Sequence, residues 1–307
     1  MDLKQPSMPD LSVNIGKLHL ANPILLASGT CGYGQELAPF LDINILGGIV
    51  VKGISLEPME GNPRPRIVET PCGLLNSIGL ENVGLKVFLK EKLPWLRQLD
   101  TRIIVNVLGK NLEEYRTIVQ KLDQVDGIDA IELNISCPNV AAGGVAFGTN
   151  PAEAARITRA SRKVTSLPLI IKLSPNVTDI TSIAKAVESE GADAVSLINT
   201  ILGMAIDINK RRPVLSRRTG GLSGPAIKPI ALRMVWDCVR AVNIPVIGIG
   251  GIASAEDALE FLIAGAKAVQ IGTANLIDPG TAARVLQGIK TYLNQHDISN
   301  IEELALS

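Results

Sequence analysis

Aromatic residues are scarce here: Phe, Tyr and Trp make up 3% of 307 residues. Few rings are left on which nucleobases could stack. An excess charge of either sign is also missing, with 30 Lys and Arg against 30 Asp and Glu. A nucleic-acid binder is usually basic, so that class is disfavoured twice. Histidine occurs twice and cysteine four times. Cys31, Cys72, Cys137 and Cys238 lie far apart without a CxxC pair, which suits neither zinc nor an iron–sulfur cluster. No metal site is expected, and the thiols fit a reduced, cytosolic protein. The opening MDLKQPSMPD lacks the apolar core of a signal peptide. The longest run without a formal charge, 133–152, has the twenty residues a bilayer span needs. It also holds Pro138, Gly143, Gly144, Gly148 and Pro151, so it reads as strand plus loop.

What the chain does have is 46% hydrophobic residues in a regular alternation. Such a composition excludes a disordered chain. Eight short apolar runs, 23–28, 48–52, 102–107, 130–135, 169–173, 194–198, 246–249 and 268–271, read as strands buried on both faces. Amphipathic helical stretches separate them. Ile180, Ile183, Ala184 and Val187 fall at i, i+3, i+4 and i+7, and Ser254 with Asp257 opens another helix that ends near Gly265. Eightfold βα alternation, with no linker or low-complexity break, predicts one (β/α)8 TIM barrel occupying 1–307 as a single domain. Segment 11–20 is expected to be a hairpin across the bottom of the barrel. The connections 53–80 and 200–224 are long, as functional loops at the C-terminal face often are.

In this fold chemistry belongs at the strand ends. Those ends are Ser28, Lys52, Asn106, Asn134, Lys172, Asn199, Gly250-Gly251 and Gly272-Thr273. Single asparagines usually mark turns, but three asparagines and two lysines at equivalent positions converge on one pocket. The glycines after the last two strands let backbone N–H groups approach a phosphate. The lysines lie in buried contexts, IIKLS and VVKGI, where an unpaired ammonium is costly. A fixed cation there would stabilise a reduced, anionic flavin, or would pair with a substrate carboxylate. Cys137, in Asn134-Ile135-Ser136-Cys137-Pro138-Asn139, is the candidate general base. His19 and His296 lie away from the strand ends, and Cys238 belongs to a helix core. A phosphate-binding lyase or isomerase, or a non-catalytic barrel, stays open on these residues alone, although no Asp or Glu ends a strand to serve as base.

The motifs NPILLASGTCGYGQE, VVKGISLEP, GLLNSIGLENVG, NISCPN with GGVAFGT, IIKLSPNV, SLINT, GGLSGPAIKP, GIGGI and QIGTA follow in order along nearly the whole chain. In them the sequence resembles the class 1 dihydroorotate dehydrogenases, most closely the catalytic subunits of the NAD-linked class 1B enzymes. GIGGI and QIGTA are shared by many phosphate barrels, whereas NSIGLEN together with NISCPN is specific. The resemblance implies FMN and oxidation of (S)-dihydroorotate to orotate in pyrimidine synthesis. It implies FMN contacts at Ser28, Lys52, Gly53, Asn106, Asn134, Lys172, Ile198, Gly224, Gly250, Gly251, Gly272 and Thr273. It implies pyrimidine contacts at Lys52, Asn76, Ser77, Ile78, Gly79, Leu80, Asn134, Asn199 and Thr200, with Cys137 as base for the C5 proton. It further implies a partner subunit carrying FAD and a [2Fe–2S] cluster, in a heterotetramer of two catalytic and two electron-transfer subunits. A fumarate-using class 1A homodimer is the alternative. Membrane-bound class 2 enzymes differ in having a serine base and an N-terminal membrane segment.

One basic stretch stands apart. Segment 209–218 carries Lys210, Arg211, Arg212, Arg217 and Arg218. It reads either as a solvated loop or as a patch that gathers an anionic substrate or faces a partner.

Overall fold

The computed structural model describes residues 9–136, 138–139 and 145–306. Each of the eight apolar runs supplies one strand. They are β1 (Ile24–Leu26), β2 (Gly48–Val50), β3 (Arg102–Val107) and β4 (Ala130–Asn134). They continue as β5 (Leu169–Lys172), β6 (Ala194–Leu197), β7 (Val246–Ile249) and β8 (Ala268–Ile271). All pair in parallel with their chain neighbours, and β8 pairs with β1, so the sheet closes into a barrel. Several runs are shorter as strands than as sequence patterns. Their backbone hydrogen bonds nonetheless continue past the ends, as from Ala27 N to Ile271 O and from Ile198 N to Ile249 O.

The helices form where the periodicity predicts. Ile180–Glu188 buries Ile180, Ile183, Ala184 and Val187 and is capped by the Asp179 side chain. Ala255–Ile263 opens with a reciprocal Ser254–Asp257 capping box, and Gly265 follows with φ +100°. Leu112–Asp123 and Pro151–Arg162 are capped by Asn111 and Asn150. Buried Cys238 lies on Lys228–Ala241, as expected of a core thiol. Between β2 and β3 the helical run contains a π-turn at Phe88–Lys92.

Strands Val13–Ile15 and Leu18–Leu20 form the expected hairpin, turning at Gly16 with φ +59°. It lies at the N-terminal ends of the barrel strands. Arg102, the first residue of β3, donates to His19 O, and a Cβ at Gly16 would meet Asp193 just before β6 at 3.4 Å. Ile15 and Leu20 are fully buried there.

At the opposite end the two long connections are joined rather than independent. Ile67–Thr70, Gly73–Asn76, Thr219–Ser223 and Ile201–Met204 form one antiparallel sheet in that order. Pairing each connection with the other satisfies backbone groups that a free loop would leave to solvent.

Candidate active site

The sheet across the mouth and the strand ends beneath it bring most of the predicted residues together. Asn134 ends β4 and Lys172 ends β5, in register with one another. Asn199 follows β6 and donates from Nδ2 to Asn134 Oδ1 at 3.2 Å. Asn134 Oδ1 also accepts from Ser136 N, and Tyr115 Oη donates 2.6 Å to Asn134 O. These bonds fix the Asn134 amide through its Oδ1, and its Nδ2 makes no hydrogen bond among the described residues.

Above them Asn76 Nδ2 donates to Gly221 O at 3.2 Å, and a Cβ at Gly221 would lie only 2.0 Å from Thr200 Oγ1. Asn76 and Thr200, 124 residues apart in the chain, thus meet on one glycine of the covering sheet. Ser77 to Leu80 hang from the same connection, with Ser77 N donating to Arg66 O and Asn62 N to Ile78 O. Gly79 and Leu80 both have positive φ, and a Cβ at Gly79 would sit 2.5 Å from Asn62. Asn62 therefore fixes that turn.

Lys52, two residues past β2, is half-buried and makes no ion pair among the described residues. Burial pulls its ammonium below the ordinary lysine range, and the charge of Glu81 partly opposes the shift. Gly53 beside it packs on Asn106, whose Oδ1 would lie 2.7 Å from a Cβ there.

The glycine turns cluster around Gly224. A Cβ at Gly251 would lie 3.0 Å from Gly224 O, and one at Gly224 would lie 3.6 Å from Thr273 Cγ2. Thr273 Oγ1 donates to Ser223 Oγ at 2.8 Å. A Cβ at Gly250 would meet Ile198 Cγ1 at 3.4 Å, and one at Gly272 would meet Ala27 Cβ, next to Ser28, at 3.4 Å. Gly224, Gly250 and Gly251 all have positive φ, which glycine adopts without steric cost. The turn after β8 leads into a helix of one turn only, Ala274–Ile277, whereas the turn after β7 leads to the capped helix Ala255–Ile263.

Cys137, the candidate base, lies outside the described residues. The strands Pro138–Asn139 and Val145–Ala146 that follow it pair antiparallel. Cys31 offers no substitute: burial pushes its thiol up to about 12, and its Sγ donates to Val50 O and Ala27 O. Cys72 is exposed.

One buried residue beneath the mouth has no counterpart in the strand-end pattern. Glu132, in the middle of β4, is completely buried and accepts from Asn106, Ser196 and Gln270. The only sequence signal is a single carboxylate inside an otherwise apolar strand, AIELN. Such a charge must be paired to be buried, so it points to partners across the barrel.

A family model described as dihydroorotate dehydrogenase matches residues 10–293. The chain belongs to the dihydroorotate dehydrogenase family, whose members are flavin-dependent oxidoreductases. It is 57% identical over 296 residues to a protein of Geotalea daltonii named dihydroorotate dehydrogenase B (NAD(+)), catalytic subunit, covering 96% of this chain and 97% of that one. Proteins of the same name from Desulforamulus reducens and Thermoanaerobacter pseudethanolicus are 56% and 55% identical over 295 residues, with the same coverage. Among solved structures, a dihydroorotate dehydrogenase of Eimeria tenella in complex with ferulenol superposes with a TM-score of 0.79 at 25% identity. That match covers 99% of this chain and 89% of the other.

Proposed function

We propose that this chain is the FMN-binding catalytic subunit of an NAD-linked, class 1B dihydroorotate dehydrogenase acting in UMP synthesis. One juxtaposition carries the reading. Asn134, Lys172 and Asn199 converge at the mouth under a sheet that brings Asn76 and Thr200 to Gly221.

The residues present fit the flavin. Lys52 is a half-buried cation that makes no ion pair among the described residues. Lys172 is 6% exposed at the end of β5. Gly29, next to Ser28, has nothing within 4 Å of the position its Cβ would occupy. Gly224, Gly250, Gly251, Gly272 and Thr273 would hold the phosphate, and Ser28, Gly53, Asn106, Asn134 and Ile198 the rest of the cofactor. When bound, FMN supplies the acceptor for the hydride that leaves C6 of the substrate.

The protein's own groups do the remainder. Asn76, Asn134 and Asn199 donate to and accept from the pyrimidine's imide groups. Ser77 Oγ and Ser136 Oγ are buried without hydrogen-bond partners among the described residues. Lys52 faces the substrate carboxylate, and Ile78, Gly79, Leu80 and Thr200 close around the ring. Cys137 removes the C5 proton as the C6 hydride departs, so the C5–C6 single bond becomes the double bond of orotate. Lys172, buried at the end of β5, would supply a fixed positive charge to a flavin ring that gains negative charge on reduction.

Electrons leave through a second subunit carrying FAD and a [2Fe–2S] cluster, in a heterotetramer of two subunits of each kind, and reach NAD⁺. The words "catalytic subunit" in the relatives' names support a partner. We place the complex in the cytoplasm. Among the described residues no helix is long and apolar enough to cross a membrane.

The test is optical. Purified protein should be yellow, and its flavin absorbance should bleach on anaerobic addition of dihydroorotate. Colourless protein that takes up no FMN defeats the assignment. Co-purification from the native source then separates the classes: [2Fe–2S] absorbance in the complex supports class 1B, and an active homodimer without it supports class 1A.

A further inference from the structure

Glu132 gathers four partners from four other strands of the barrel. Its Oε1 accepts from Asn106 Nδ2 at 2.7 Å on β3, and its Oε2 from Ser196 Oγ at 2.8 Å on β6 and Gln270 Nε2 at 2.7 Å on β8. Lys172 Nζ on β5 lies 3.7 Å from Oε1. All four contacts turn a donor toward the carboxyl, the arrangement that suits an acceptor at both oxygens. Gln270 is oriented accordingly: its Nε2 serves Glu132 while its Oε1 is buried without a partner among the described residues.

Two of these partners, Asn106 and Lys172, are flavin contacts in the reading above. We infer that Glu132 is a positioning residue for the flavin reaction: it fixes Asn106 and Lys172 and offsets part of the Lys172 charge that the flavin ring feels. The inference rests on the flavin-dehydrogenase reading.

The consequences follow from charge and geometry. With Nδ2 held by Glu132, Asn106 turns its Oδ1 toward Gly53, which settles the edge of the amide offered at the mouth. Lys172 alone would stabilise an anionic reduced ring strongly. A carboxylate beside it, in a site with little water to screen it, opposes that stabilisation. The flavin is then held at a lower reduction potential, from which electrons move more readily to a nicotinamide acceptor.

The test is the midpoint potential of the FMN-loaded full chain, measured by spectroelectrochemical titration in wild type, Glu132→Gln, Ser196→Ala and Lys172→Met. E132Q keeps the shape and removes the charge. It should raise the equilibrium constant for flavin reduction about tenfold, the scale of one nearby charge in a poorly screened site. Ser196→Ala removes a hydrogen bond without changing charge, so it should lower thermal stability and leave the potential in place. Lys172→Met leaves the carboxylate uncompensated and should move the potential the opposite way. An FMN-loaded E132Q with the wild-type potential overturns the inference. So does an unmoved potential in Lys172→Met, which keeps the claim testable if E132Q does not fold. Wild-type protein that binds no flavin would instead defeat the functional reading itself.

Discussion

Asn199 Nδ2 donates to Asn134 Oδ1 at 3.2 Å, joining the turn after β6 to the end of β4, with β5 and Lys172 between them. This bond orients two amides of the proposed pyrimidine site at once. Asn199→Ala should therefore damage more than its own contact. Losing one direct bond and loosening Asn134 costs on the order of 1–2 kcal/mol. Orotate affinity should fall roughly tenfold while FMN is retained. Titrating orotate against the flavin spectrum measures both. Unchanged affinity would remove Asn199 from the substrate site.

Cys137→Ser should keep FMN and bind orotate, yet reduce the flavin far more slowly at neutral pH. A thiol yields thiolate far more readily than a serine hydroxyl yields alkoxide near neutral pH. In the wild type the rate of flavin reduction should rise with pH through the thiol range. Anaerobic stopped-flow traces across pH give the answer, and identical rates in the two proteins would take Cys137 out of the mechanism.

Lys52 carries a second pH dependence of opposite direction. Burial lowers its ammonium from the ordinary lysine range, so the charge is lost earlier as pH rises. KM for dihydroorotate should climb on the alkaline side before an exposed lysine would titrate, while kcat follows the thiol. The sign for stability is separate. The folded value lies below the unfolded one, so the unfolded chain binds more protons between them, and apoprotein stability gains from this group as pH rises through that window. Lys52→Met should lose both effects, read as KM against pH and as apoprotein melting temperature on the alkaline side, below the ordinary lysine range.

The eight strands were readable because each is a short apolar run, and burial on both faces demands that composition. The polar strand ends were readable for the same reason: Asn134 and Lys172 stand out against it. Asn76 and Thr200 could be assigned to the substrate only by family likeness. Their meeting at Gly221 depends on pairing between segments about 145 residues apart, which no local pattern encodes. Glu132 escaped because a strand-end rule looks at termini. Its partners Asn106, Ser196 and Gln270 come from three other strands, so its role appears only once the barrel closes.

The bottom hairpin should matter to stability and not to chemistry. Ile15 is fully buried, far from the strand ends that form the mouth. Ile15→Ala should cost about 2–5 kcal/mol, as large-to-small changes in packed cores do. Denaturant midpoints should fall accordingly while the flavin spectrum and the rate of its reduction stay unchanged. A loss of flavin at full folding would mean that the hairpin reaches the site.

The basic stretch 209–218 is only partly committed within the chain. Lys210 pairs with Asp207 at 3.3 Å, and Arg217 Nε donates to Asn62 Oδ1 at 3.0 Å. Arg211 and Arg212 are exposed, on the connection whose strands cover the mouth. Dihydroorotate is an anion, so exposed cations on this connection would raise its local concentration and its rate of arrival. The double variant Arg211→Glu, Arg212→Glu should slow substrate association several-fold at low salt and leave the rate of hydride transfer unchanged. Added salt should shrink the difference, because screening acts over about 10 Å at 0.1 M. Association rates measured at two ionic strengths decide the matter. A charge reversal without any salt-dependent change in substrate or partner binding would return the segment to the status of a solvated loop.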